Sequence, residues 1–549
     1  MNAISETGIA ALTAIGRALH RGGEIVLGVL LTAGIAAAQG EVSESAVDRA
    51  AFARVPTPVF AVTAFDVVGD NPIGPDAAAV VLKDFLGAHT GVEGLQAAAD
   101  ELEAKINRAG FQFHRVTLPP QRLVGGVVTL KVLAFTLGKV TVVGNRFFTT
   151  ENILASVPAL VPGAVTVTDT VAHQVEFANE SPAKQVVLGF KDSEVTDAID
   201  ATLTVQDIDP IQYFFSLANT GSQPTGFLRS TFGFLNADLF GLDGQLSATY
   251  TTSPGHFRDV RQWGVSYRKP LYDSGAIVQG SFVNSDVDSG VVNGIEIAGR
   301  GTFFGFRLEQ PLAKIDDYRH RLAVAIDQKN FGQSVTLNGV SLGVPVSSRP
   351  LTMDYSMRYQ RPRATVSGNV QLVQNIVAGK ANDAAQYTAS RVGAIPQFRL
   401  MRLNLGADLS LEGGASLKLG FSGQKTGDVL IAGEQFGAGG STRPRGFNER
   451  EFSGDYGYKA WVEYWSAPFG DSGVQLVYFY DWARVSLNEA TLSQNQQELI
   501  SSVGVGLRTP IGGQGSLSLD YGHVLTAGAS GQGTQVGDKT LHGAFLYRF

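Results

Sequence analysis

The amino-acid sequence predicts two small α+β modules in series, each β-α-α-β-β, followed by an all-β antiparallel transmembrane barrel of about sixteen strands. Three observations predict it. Beyond residue 40 no apolar stretch reaches the roughly 20 residues of a spanning helix, so any crossing has to be made by strands. From Ile211 onward the helical period disappears, and segments of roughly ten residues alternate apolar with polar side chains between connections that are by turns long and short. Ahead of them, one supersecondary unit occurs twice. The composition agrees with this, since 549 residues hold 65 glycines and no cysteine, with 44% hydrophobic residues, 17% charged residues and a net charge of −7. Without cysteine, disulfides and thiolate metal sites are excluded. A negative balance leaves no basic field to follow nucleic-acid phosphates.

Residues 1–38 read as a secretory signal. Arg17, His20 and Arg21 precede an apolar run over 25–37, and Ala36-Ala37-Ala38-Gln39 offers small residues for cleavage after Ala38. A membrane helix is the other reading of that run, which is short of spanning length. Residues 39–59 form the mature N-terminal segment, in which 43–54 has the makings of a short helix.

The first module is expected over residues 60–136. A strand over 61–68 is followed by a helix over 76–86, opened by Pro75 and Asp76. A second helix spans 94–109, where Leu95, Ala98, Leu102 and Ile106 recur at three- and four-residue steps and Glu101 faces Lys105 as an i,i+4 pair. Gly110 stops it, and strands over 111–118 and 127–133 flank Pro119-Pro120. Residues 137–207 repeat the order. They supply a strand over 139–143, a turn at Gly144-Asn145, and a helix to about Ser156 capped by Thr149 or Thr150. A helix over 169–179 with Val171, Val175 and Ala178 on one face and strands over 185–190 and 201–205 complete it, with Pro182 between helix and strand. Two such units in series suggest binding surfaces rather than one catalytic core.

The barrel is expected over residues 208–549. Its clearest segment is 402–412, where Leu403, Leu405, Ala407, Leu409 and Leu411 face one way and Arg402, Asn404, Asp408, Ser410 and Glu412 the other. Short turns fall near 238–244, 270–275, 311–319, 360–364, 412–414, 467–473 and 510–515, and longer loops at 286–299, 332–351, 375–396, 424–456 and 487–499. That parsing gives about sixteen strands over about 340 residues, with both barrel ends on the periplasmic side and an aqueous interior lined by the polar faces. The last strand places Leu541, Gly543, Phe545, Tyr547 and the terminal Phe549 on one face. Such an aromatic end is the typical recognition element of outer-membrane barrels during assembly.

Within the loop over 424–456, the tip Gly439-Gly440-Ser441-Thr442-Arg443-Pro444-Arg445-Gly446-Phe447 has its own physical logic. Gly446 turns without a Cβ penalty, Phe447 can wedge against a wall, and Arg445 presents a planar fork to a carboxylate. In 474–481 the residues Val474, Leu476, Tyr478 and Tyr480 face lipid, which leaves Gln475, Val477, Phe479 and Asp481 toward the lumen. On the residues alone, Arg445 reads equally as a solvated loop arginine and Asp481 as one of many luminal carboxylates. Arg443, Glu449, Arg450 and Glu451 read as ordinary loop charges.

Leu118-Pro119-Pro120-Gln121 followed by the strand over 127–132, Val142-Val143-Gly144-Asn145-Arg146-Phe147, and the loop tip resemble three landmarks of one family, the two-partner-secretion transporters or haemolysin secretion/activation proteins. The first two resemble the end of one polypeptide-transport-associated (POTRA) module and the opening of the next. The tip resembles the Val-Arg-Gly-Tyr/Phe end of that family's inward-folded sixth loop. Phe479-Tyr480-Asp481-Trp482-Ala483 resembles its Phe-x-Asp-x-Gly wall motif, with Ala483 for glycine and Pro444 for the usual aliphatic residue at the tip. The resemblance covers residues 60–549 and implies an Arg445–Asp481 bridge that locks the loop inside the barrel. It also implies that the segment over 43–54 is a candidate pore plug.

What the resemblance implies for function is an outer-membrane translocator with POTRA modules in the periplasm, exporting an unfolded exoprotein of the large β-helical adhesin or haemolysin kind. Barrel-assembly machinery and outer-membrane lipid are the other expected partners, with no cofactor, no metal and no nucleic acid. An insertase of the same superfamily is the nearest alternative, although its members usually carry more modules. A passive porin would leave the modules unexplained. An enzyme lacks support, because there is no Gly-x-Ser-x-Gly, no phosphate loop and no zinc-type His/Glu spacing, and the eight histidines read as surface or luminal residues.

Overall fold

A computed structural model describes residues 59–549 except 223–224, 287–289, 293–294, 298–299, 333–335, 338–339, 342–343, 493 and 530–532. The expected signal over 1–38 and the helix over 43–54 lie outside the described residues.

The first module contains β1 (Val59–Val62), β2 (Ala64–Gly69), α1 (Gly74–Leu82), β3 (Gly87–Thr90), α2 (Glu93–Arg108), β4 (His114–Thr117) and β5 (Val127–Ala134). Its sheet has the order β2-β5-β4, with β2 parallel and β4 antiparallel to β5. The single strand expected over 61–68 is broken at Thr63. There the N–H and hydroxyl bond to the carbonyls of Gly126 and Gly125, so the chain ahead of the break turns away and β1 pairs with β3 instead. On α2 the residues Leu95, Ala98, Leu102 and Ile106 are buried in the module core, as their spacing requires. Glu101 takes Arg108 at 2.6 Å, one more turn along the helix than Lys105, because the longer guanidinium reaches back to it. Pro119-Pro120 ends β4 after four residues. Beyond the prolines the side-chain amide of Gln121 substitutes for backbone, donating to Thr129 O and accepting from Thr129 N at 2.7 Å each.

The second module repeats the topology with β6 (Thr136–Val143), α3 (Thr150–Ala155), α4 (Thr168–Ala178), β7 (Lys184–Asp192) and β8 (Ala198–Asp207), in the sheet order β6-β8-β7. Thr149 is the N-cap of α3, accepting from Asn152 N at 3.1 Å. The Gly144-Asn145 turn has a clear cause. Gly144 has φ +88°, and a Cβ there would lie 2.5 Å from Val205 O. Asn145 Nδ2 donates to Phe148 O, while the Asp207 carboxylate accepts the N–H groups of Arg146, Phe147 and Phe148. Burial by itself pushes the Asp207 carboxyl up, but these donors outweigh it and hold it below the usual carboxylate range. The modules touch through Phe113 and Phe190, edge to face at 4.6 Å.

Sixteen antiparallel strands then close a barrel. In order they are β9 (Ile211–Ala218), β10 (Arg229–Leu239), β11 (Gly244–Thr252), β12 (Arg261–Leu271), β13 (Ala276–Ser285), β14 (Gly301–Pro311), β15 (Tyr318–Phe331) and β16 (Pro350–Arg361). They continue as β17 (Ala364–Asn375), β18 (Arg399–Ser410), β19 (Ser416–Lys425), β20 (Tyr456–Trp465), β21 (Gln475–Ser486), β22 (Gln497–Ile511), β23 (Gly515–Thr526) and β24 (Lys539–Arg548). Val346–Ser348 extends β16 along β15. Apolar residues such as Phe232, Phe306, Leu372, Leu405, Tyr478 and Leu541 are exposed on the outside, and the Trp263, Phe282 and Phe304 rings pack at tilted angles across three neighbouring strands. Among the described residues no helix is long and apolar enough to cross a membrane. The ring closes where β24 meets β9 over five residue pairs, against twelve between β21 and β22.

The second module is joined to the first short barrel turn by a buried polar cluster. Lys184 Nζ lies 2.6 Å from Asp243 and donates to Asn152, whose amide in turn donates to Asp238, Gly241 O and Asp243. Tyr272 OH donates to Asp243 at 2.5 Å. Burial pulls the Lys184 ammonium down, and the nearby Asp243 and Asp238 carboxylates oppose that. Around the cluster, Glu180 reaches Arg268 and Arg321, and Glu176 reaches Arg319.

Two outcomes are expected. Lys184→Met leaves the buried Asp243 charge uncompensated at a cost of about 3–5 kcal/mol, read as faster proteolysis of the 208–210 linker, whereas Lys184→Met with Asp243→Asn together is milder. In Asp207→Asn, hydrogen exchange of the Arg146–Phe148 amides at pH 7 accelerates by at least about tenfold. Because the folded carboxyl is depressed, its stabilisation is present above the unfolded range and lost as pH falls through the folded value, so the difference from the parent narrows in acid.

Candidate functional site

The connection between β19 and β20, residues 426–455, folds inward and is anchored to the wall at three levels. Its tip is the most densely paired. Arg445 donates Nε to Asp481 Oδ2 at 2.8 Å and Nη2 to Asp481 Oδ1 at 2.9 Å, and its backbone N–H donates to Oδ2 at 3.0 Å. The parity of β21 turns Asp481 and Phe479 inward, and the guanidinium carbon sits over the Phe479 ring, 3.4 Å from its centre. Glu463 of β20 lies 2.9 Å from Nη2, and Asp520 of β23 lies 3.5 Å from Nη1. Arg443 adds a second cation, 2.9 Å from Glu463 and 3.3 Å from Asp481, above the Trp461 ring. Two arginines therefore face three carboxylates, and Asp520 is matched in addition by Arg508 at 2.8 Å. Arg445, Glu463 and Asp481 are buried, so these pairs escape most of the screening that makes surface pairs weak.

Gly446 and Phe447 seat the tip. Gly446 has φ +99°, and Phe447 is buried among Ala438, Phe452, Ala483, Val485, Ile500 and Val524. Ala483, where the resembled motif has glycine, is buried in this cluster, and Asp481 two residues before it still holds the Arg445 fork. Pro444 is buried beside them.

Midway along the loop the buried Glu434 accepts from Ser348 at 2.7 Å and pairs with Lys329 at 3.0 Å and Arg402 at 3.3 Å, which ties the loop to β15, β16 and β18. At the base the buried Asp455 holds Arg391 in a two-point pair and accepts the N–H groups of Leu430 and Asn488, joining the loops on either side. A twelve-residue apolar cluster, including Phe331, Tyr387, Phe398, Leu430 and Ile431, packs these long loops into the wall ends. Beside the loop the bore retains a polar cavity of about 500 Å³, lined among others by Arg307, Asp327, Lys329, Gln371, Arg402 and Asn404.

Arg445, Gly446, Phe447, Phe479 and Asp481 thus come together. The other residues singled out in the sequence do not join them. Pro119, Pro120, Gly144 and Asn145 shape the modules, as described above. Phe545, Tyr547 and Phe549 form an aromatic row on the last strand, with ring centres 6.5 Å and 5.0 Å apart and Phe549 exposed. The loop charges read as ordinary are all engaged. Besides Arg443, Glu449 accepts from Ser441, Arg450 donates to Gln435 O, and Glu451 accepts from Thr534 and Asn448. The turns of the loop bring these charges within reach of its own backbone and side chains. Glu463, Asp520 and His542 were also missed. Inward parity on their strands is the one signal they give, and it is shared by every luminal residue.

The sequence model described as "Haemolysin secretion/activation protein ShlB/FhaC/HecB" matches residues 198–509, more than half of the chain, and that described as "POTRA domain, ShlB-type" matches residues 60–134. Heme/hemopexin transporter protein HuxB of Haemophilus influenzae is 19% identical over 446 residues, 79% of this chain and 77% of the relative. Among solved structures, CdiB from Escherichia coli superposes with a TM-score of 0.72 at 16% identity, covering 100% of both chains. CdiB from Acinetobacter baumannii gives 0.66 at 16% identity, again over 100% of both. BamA from Haemophilus ducreyi lacking POTRA domains 1–3 gives 0.50 at 12% identity, covering 89% of this chain and 100% of that one. These superpositions bear on the fold.

Because the Arg445 fork is matched to Asp481 at two points, Arg445→Lys is not conservative here. Arg445→Lys and Phe447→Ala are each expected to free the tip, the latter at a cost of about 3–5 kcal/mol for the vacated pocket. Trypsin cleavage after Arg450 in the detergent-folded barrel measures this, with both variants cut faster than the parent.

Proposed function

The chain belongs to the haemolysin secretion/activation protein family ShlB/FhaC/HecB, and on that premise we propose how this two-partner-secretion translocator of the outer membrane handles its exoprotein. The observation that carries the reading is the loop locked inside a closed sixteen-strand barrel above two periplasmic modules. A solute channel has no use for either the modules or a plugged bore.

The guest arrives unfolded in the periplasm, where no ATP is available. It is captured by strand addition, in which main-chain bonds give affinity with little demand on sequence. The second sheet strands of the two modules, β4 and β7, both lie at sheet edges. Of the two, β7 is the longer template, nine residues against four. Asn179 already occupies the backbone of Val186, which leaves the stretch from Leu188 onward for a guest. The Phe113–Phe190 contact sets the two edges close together, so the groove between the modules belongs to the same surface.

From there the guest enters the bore along its polar wall. Because the loop occupies much of that space, passage requires some of its anchors to yield while the tip bridge guides its return. Folding at the cell surface, about 5–15 kcal/mol per domain, pulls the guest outward. The guest is a large secreted protein of the β-helical adhesin or haemolysin kind; a haem- or hemopexin-related cargo is the second candidate, suggested by the relative's name. The Phe545, Tyr547 and Phe549 row serves as the assembly signal read by the barrel-assembly machinery, and the apolar outer face meets outer-membrane lipid.

Deleting residues 60–207 is expected to abolish secretion of the partner while the barrel still assembles. Arg445→Glu is expected to lower export severalfold with normal barrel assembly. Exoprotein in the medium and heat-modifiable migration of the barrel measure the two separately; undiminished secretion in the deletion removes the capture model, and undiminished secretion in Arg445→Glu removes the loop lock.

A further inference from the structure

The tip of the loop has a second attachment that the Arg445 bridge does not explain. Gly446 N–H donates to Nε2 of His542 at 3.0 Å, and Gly446 C=O accepts from Thr540 Oγ1 at 2.9 Å. Both side chains belong to β24, the strand that closes the barrel. The approach is tight, since a Cβ on Gly522 of the neighbouring β23 would lie 2.9 Å from Gly446 N. Both polar groups of the Gly446 backbone are therefore handed to one strand.

An imidazole nitrogen accepts a hydrogen bond only through its lone pair, so this contact requires neutral His542 with its proton on Nδ1. An imidazolium carries a proton on both nitrogens and meets the Gly446 N–H proton to proton. The charged groups around the ring are Arg445 from the loop, Asp520 directly opposite on β23, and Asp481 on β21. Asp520 is already held by Arg508 of β22 and Asp481 by Arg445, while from the β9 side the uncharged Asn219 bonds to Gly543 N, next to His542. The carboxylates are committed to arginines before His542 gains a charge.

We propose that His542 is a positioning residue whose neutral imidazole latches the loop tip to the closing strand, and that its protonation in mild acid opens this latch while the Arg445–Asp481 bridge stays in place. This rests on the reading that the loop obstructs the bore.

The test is conductance of the full-length protein in planar lipid bilayers, without guest, as pH is stepped from 7.5 to 5.0 and back. The parent's open probability is expected to rise reversibly by about fivefold to tenfold, the factor for one lost hydrogen bond. His542→Gln offers an amide oxygen to Gly446 at either pH and stays low at both, although every carboxylate is still present. His542→Ala sits at the raised level at both. If parent and His542→Gln respond alike to acid, or neither responds, the latch is overturned. Heat-modifiable migration reports assembly, and should His542→Ala fail to assemble, the comparison of parent with His542→Gln decides. Export of a guest is not measured, so a failure here leaves the secretion reading intact, and loss of that reading leaves this result standing.

Discussion

Hydrocarbon offers no partner to a peptide N–H or C=O, so every backbone group that crosses the membrane has to be paired within the chain. The sixteen-strand ring is how this sequence meets that constraint, and the rest of the architecture follows from it. Closure fixes the parity of each strand, so that Tyr478 and Tyr480 face out while Phe479 and Asp481 face in. It also fixes the wall positions to which a loop can be tied. The joint between β9 and β24 is among the shortest pairings of the ring, and Asn219 extends it by bonding to the main chain of Leu541 and Gly543.

A ring of this size would leave a wide aqueous bore, and the chain fills much of it with its own loop. Burying charge is costly unless it is matched, and here the matching is thorough. Arg443 and Arg445 meet Asp481, Glu463 and Asp520 at the tip, Lys329 and Arg402 meet Glu434 midway, and Arg391 meets Asp455 at the base. Removing one member of a set leaves its partners buried without a match, so each of the three levels is held by its own matched charges. The periplasmic side uses the same device, since Lys184 and Asp243 tie the second module to the barrel through a buried pair rather than a flexible tether.

Much of the fold was legible in the sequence because two periodicities write it down. Alternation over residues such as 402–412 marked the strands, and the 3.6-residue spacing of Leu95, Ala98, Leu102 and Ile106 marked α2. The break at Thr63 was not legible, because alternation continues through it and the cause is a tertiary contact with Gly125 and Gly126. At the site, the joining of Arg445 to Asp481 came from motif resemblance, not from spacing; 36 residues separate them. Glu463, Asp520 and His542 stayed hidden because parity says only that a side chain faces the lumen. Which luminal groups meet a given loop residue depends on how deep the loop reaches, and no local pattern encodes depth. Glu449, Arg450 and Glu451, expected as surface charges, are bonded chiefly within the loop's own turns, with Glu451 also reaching Thr534.

Passage of the guest through the bore is the central claim. The direct measurement places a photo-crosslinking amino acid at Asn404, which lines the internal cavity, and in a second variant at Leu405, its neighbour exposed on the outer wall. With a partner exoprotein stalled during export, crosslinks are predicted at 404 and not at 405. Equal labelling at both positions, or none at 404 while the guest is demonstrably stalled, would contradict transport through the barrel.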